Sequence, residues 1–131
     1  MKKTLLILIL IFISCSENKI DTIEIPLTSN SEQAIKLFSE EVFRPKEAYR
    51  TYNPVIDAAL KKCVELDPDF LMAQALIGQA GYRISQEERR EKIIKAYENT
   101  DNVTEIEGAI INSIYENIIN GNVSKGESIL E

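Results

Sequence analysis

The sequence predicts an all-α protein, and three observations carry that prediction. The stretch from Ala59 to Tyr82, ALKKCVELDPDFLMAQALIGQAGY, has apolar residues at helical spacing on both sides of an Asp-Pro pair. Ser85 with Glu88, and Thr104 with Glu107, have the spacing of capping boxes, which open helices. Aromatic residues make up 7% of the chain and Trp is absent, which suits helix packing by Ala, Ile and Leu better than a β-sandwich.

The first residues read as a targeting segment rather than as fold. Lys2 and Lys3 precede an uninterrupted apolar run from Leu5 to Ile13, shorter than the ~20 residues needed to span a bilayer. The run ends in Phe12-Ile13-Ser14-Cys15, which resembles the bacterial lipobox. That resemblance implies cleavage of a signal peptide, residues 1–14, and lipidation of Cys15, so the membrane partner would be reached through a lipid anchor. Ser16 follows the cysteine where inner-membrane retention would favour Asp, which implies an outer membrane lipoprotein of the cell envelope, facing the periplasm or the exterior. Ser16-Glu17 and Asp21-Thr22-Ile23 resemble short export and O-glycosylation signals of Bacteroidetes-type bacteria. Residues 15–30 are polar, and their brief alternation of isoleucines cannot build a sheet, so they read as a tether.

The helical domain is expected over residues 31–131. Ser31 caps a first helix that runs to about Arg44, with Ala34, Ile35, Phe38 and Val42 on one face and Pro45 beyond its end. A loop carrying Tyr49 and Tyr52 leads to Asn53 and Pro54, the cap and first residue of a second helix ending at Leu66. Asp67 and Pro68 stop that helix and open the third, from about Asp69 to Arg83. Ser85 starts the fourth, where Glu87 with Arg90 and Glu88 with Lys92 mark a solvated face that also takes in Arg89. Thr104 starts the fifth, whose isoleucines 106, 110, 111, 114, 118 and 119 require neighbours on more than one side. A turn at Asn120 to Val123 leads into a sixth.

The small residues Ala73, Gly78 and Ala80 around the Asp-Pro hinge resemble the tetratricopeptide repeat, whose period is about 34 residues. Pro68 matches the hinge proline, Ile77-Gly78 the Leu-Gly pair of the following first helix, and Cys63 a position where the family prefers a small alanine, while Ile56 stands at the usual small residue of the second helix. Asn120-Gly121-Asn122-Val123 is similar to the intra-repeat turn, with Gly126 at the small position that follows. The resemblance implies helical hairpins stacked as a short α-solenoid with an incomplete last repeat. It also implies a protein or peptide partner held on a groove lined by the first helix of each repeat. In that register Gln33, Lys36, Glu40, Met72, Gln79, Tyr82, Arg83 and Tyr115 face the groove. Glu40 stands where the family's carboxylate clamp needs a basic or amide side chain, so that subtype is not implied.

The composition argues against other functions. The chain has no histidine, which removes Ser-His-Asp and Cys-His catalysis and the commonest metal ligand, so no catalytic residue, metal or cofactor is expected. Loss of Lys2 and Lys3 with the signal peptide leaves 13 basic and 21 acidic side chains, a formal charge of −8 that repels nucleic acid. The acidic pairs Glu40-Glu41 and Glu87-Glu88 sit on exposed helix faces, which would not raise a carboxyl's pKa as a glycan-cleaving acid requires. The expected function is a membrane-anchored protein-interaction scaffold. The alternative is a subunit of, or accessory to, an envelope enzyme or transport complex.

Overall fold

In a computed structural model, residues 25–43 and 53–131 are described. The signal peptide, Cys15, the Asp21-Thr22-Ile23 motif, Tyr49 and Tyr52 lie outside them. Among the described residues the fold is all-helical, with no strand. The helices are α1 (Glu32–Leu37), α2 (Pro54–Leu66), α3 (Leu71–Ala80), α4 (Gln86–Glu98), α5 (Glu105–Ile118) and α6 (Val123–Ser128). Each packs on the next in sequence, and α3 also packs on α5.

Local signals explain most helix starts. Ser31, Asn53, Ser85, Thr104 and Asn122 each cap a helix by accepting a backbone N–H with the side-chain oxygen. Thr104 and Glu107 complete both halves of a capping box. Ser85 makes one half, with Glu88 N–H at 3.0 Å, while the Glu88 carboxylate turns to Lys92 at 3.7 Å. α1 passes into a π-helical turn, Phe38–Val42. Residues at steps of four drift around an α-helix by about 40° per step, and the widened turn offsets that drift, so Ala34, Phe38 and Val42 are all buried.

The third helix is shorter than its apolar pattern predicts. Asp67 does not cap it: Asp67 Oδ1 accepts Asp69 N–H at 3.0 Å, making a turn through Pro68 and Asp69, and the helix begins at Leu71. It ends at Ala80 because Gly81, at φ 61°, takes the left-handed conformation that closes a helix. Arg89 is not part of a solvated face. Its guanidinium donates to the carbonyls of Gly78 (2.8 Å) and Gln79 (3.2 Å), which the end of α3 leaves without helical partners.

The core centres on α3, where Leu71, Met72, Ala73, Ala75 and Ile77 are buried, with Phe70 just before them. Phe70 meets Phe38 with ring centroids 5.1 Å apart, linking α1 to α3. Cys63 is fully buried, and burial pushes its thiol up to about 11, so it behaves as a small hydrophobe. Gly78, one of the small residues around the hinge, sits at a close approach to α4. A Cβ there would lie 2.5 Å from Ile93 Cγ1 and 3.0 Å from the Arg89 carbonyl. Ala80, by contrast, is exposed.

Residues 25–30, expected as part of the tether, touch the helical fold while Pro26, Thr28 and Asn30 remain exposed. Without helix or strand, they pass Glu107 at the start of α5 and Asp67 at the end of α2 on the way to Ser31, and Leu27 packs against the core.

Candidate functional site

The residues predicted to line a groove occupy unlike environments. Gln33, Lys36 and Glu40 are exposed on α1 and its continuation, with Lys36 and Glu40 3.9 Å apart. Gln79 and Arg83 are exposed at the far end of α3, and the Arg83 guanidinium lies 5.2 Å from the ring centre of half-buried Tyr82. Tyr115 is half-buried and stacked on Tyr97, centroids 3.7 Å apart and planes 11° from parallel. Met72 is a correction. At 1% exposure it belongs to the core and offers no surface to a partner, because α3 is enclosed on nearly every side and has no groove face at that level.

The most organised polar region lies where sequence reasoning placed linkers. The Glu107 carboxylate, on a residue with no solvent exposure, accepts from two threonines. Thr28 N–H reaches Oε1 at 3.0 Å and the Thr28 hydroxyl reaches Oε2 at 2.7 Å, while Thr104 N–H reaches Oε2 at 3.1 Å. The Thr104 hydroxyl, 3.1 Å from both Oε2 and the Pro26 carbonyl, can donate to either. About 40 residues earlier in the chain, Asp67 Oδ2 accepts the Ser29 hydroxyl at 2.5 Å and Asn30 N–H at 2.7 Å. Burial, the largest single influence, pushes the Asp67 carboxyl up, but bonds from Ser29, Asn30 and Asp69 together hold it below the usual carboxylate range.

Beside this strap lies a cleft of about 430 Å³, lined by Thr28 to Asn30, by Asp67, Asp69 and Leu71, and by Lys95, Asn99, Asn102 and Val103. Lys95 closes one side, donating to the Pro68 carbonyl at 3.2 Å and pairing with Asp69 at 2.9 Å. Lys92 meets the Gln74 carbonyl oxygen at 3.1 Å, while the Gln74 amide donates to Pro68, so two lysines staple α4 to the hinge. Neutral donors, carboxylates and one ammonium make the cleft a hydrogen-bonding surface suited to polar backbone.

The sequence carried part of this signal. Thr104-Glu107 was visible as a capping box, but the second role of Glu107 depends on Thr28, 79 positions away. No family model, curated protein or solved structure matches the chain.

Proposed function

We propose that the chain is a lipoprotein anchored through Cys15 in the outer membrane of the cell envelope, and that its stacked, tetratricopeptide-like hairpins serve as a protein-interaction scaffold. The observation that carries the scaffold reading is serial packing. Each helix packs on its sequence neighbours and α3 also packs on α5, contacts that a stack of helical hairpins would make. The exposed ends of α1 and α3 then supply polar contacts from Gln33, Lys36, Glu40, Gln79 and Arg83.

Two experiments test the two halves separately. Cys15→Ser is expected to abolish labelling by radioactive palmitate and release the protein from the membrane fraction; continued labelling contradicts the anchor. A partner cross-linked to the parent in detergent extract is expected to be lost from the Lys36→Glu, Gln79→Ala, Arg83→Glu variant. Undiminished capture by that variant contradicts the use of this surface.

A further inference from the structure

We propose that Asp67 and Glu107 form a receptor for an extended peptide segment bearing an apolar residue followed by two hydroxyl residues, which the chain's own residues 26–30 occupy as an intramolecular competitor. The proposal rests on the scaffold reading and names a site and a ligand class for it. The strap displays the recognition chemistry directly. Leu27 enters the core surface, Glu107 grips the backbone N–H and hydroxyl of Thr28 together, and Asp67 grips the Ser29 hydroxyl with the next N–H.

The receptor is preorganised without its occupant. Glu107 is fixed from within α5 by Thr104, and Asp67 is fixed across the hinge by Asp69 N–H, so both carboxylates keep partners when the strap departs. The strap itself contributes one partly buried apolar side chain, Leu27, and the remainder of its attachment is hydrogen bonds that another extended segment can reproduce. The adjoining cleft gives an incoming chain room to approach while the strap is still bound. Bound intramolecularly, the strap lowers the apparent affinity of any competitor by the fraction of time it occupies the site.

The test uses the mature full-length chain and a fluorescein-labelled peptide of residues 25–31, IPLTSNS. Weakening the strap with Leu27→Ala and Thr28→Val is expected to tighten peptide binding by about tenfold or more over the parent. Glu107→Gln in that background is expected to weaken it again, and the peptide with Val in place of its Thr is expected to bind poorly. Ser29→Ala, a milder change at the Asp67 end, gives a smaller gain and serves if the double variant does not fold. Absence of saturable peptide binding to whichever strap-weakened variant melts cooperatively overturns the proposal. A partner still captured through Lys36, Gln79 and Arg83 would leave the scaffold reading standing.

Discussion

The two halves of α5 hold buried glutamates in opposite ways. Glu107, in the first turn and without solvent exposure, is held by hydroxyls and backbone N–H groups from Thr104 and the strap, with no cation among its described partners. Glu116, near the other end and 7% exposed, binds the Lys125 ammonium at 2.6 Å and the Asn120 amide at 3.0 Å. The helix dipole accounts for the difference. A carboxylate at a helix N-terminus faces free N–H groups and a partial positive charge, whereas one near the C-terminus faces the opposite field and needs a cation. The N-terminal half of α5 can therefore recruit a neutral chain segment, and the C-terminal half is committed to its own α6. There Gly126 fits against Asn117, and the Ser113 hydroxyl donates to the Gly126 carbonyl at 2.7 Å.

Removing the two acceptors should separate these modes most strongly. Glu107→Ala removes the acceptor shared by the part-buried donors of Thr28 and Thr104 and empties a fully buried site, an expected loss of about 3 kcal/mol and a melting temperature lower by roughly 10 to 20 °C. Glu116→Ala releases an exposed lysine to water, so its melting temperature should fall less; equal losses would break the comparison. Gly78→Leu calibrates both against pure overpacking, because the Arg89 carbonyl cannot yield as a side-chain tip would. Its expected cost is about 2 kcal/mol, read from denaturant midpoints at unchanged slope. Thr28→Val keeps the shape of the strap and removes one bond to a carboxylate, an expected loss of about 1.5 kcal/mol.

The smallest effects are electrostatic and opposite in sign at the two ends of the pH scale. Asp67 and Glu116 are both held below the usual carboxylate range, the latter chiefly by its hydrogen bond from Lys125. A carboxyl so lowered stabilises the fold above its unfolded pKa, and that contribution disappears as pH falls through the folded value. Lys125, raised chiefly by its hydrogen bond to Glu116, stabilises below its unfolded pKa, and its share is lost as pH rises through the folded value. Melting curves should therefore fall at both extremes. In Lys125→Met the Lys125 share of the alkaline loss should vanish, while the share of the buried Cys63 thiol, pushed up to about 11, and the Asp67 share of the acid loss remain. An unchanged alkaline limb would contradict the pairing.

What was legible in the sequence was local. Ser31, Asn53, Ser85 and Thr104 announced helix starts because a cap and its N–H lie within three residues, whereas the cap at Asn122 was hidden in a stretch readable only as a turn. Cys63 and Gly78, marked as small positions in the sequence, are both buried, but the contact of Gly78 with α4 was not readable. The end of α3 was misplaced because the apolar pattern continues past Gly81, whose positive φ stops the helix. Met72 was misassigned because a helix enclosed on nearly every side has no groove face for a repeat register to mark. The strap was unreadable for a different reason. Leu27 to Asn30 look like any polar linker, and their partners lie 37 to 79 positions away, where no periodicity connects donor to acceptor.

The central claim is that residues 26–30 belong to the folded domain because the carboxylates of Asp67 and Glu107 hold them. Amide hydrogen exchange, resolved by residue on the mature full-length chain, tests it most directly. Thr28 and Asn30 N–H, bonded to Glu107 and Asp67, should be protected well beyond an unstructured chain, and Glu107→Gln should reduce protection at Thr28 more than at Asn30. Exchange of both amides at the rate of an unfolded peptide, in a protein whose α3 and α5 amides remain protected, would contradict it.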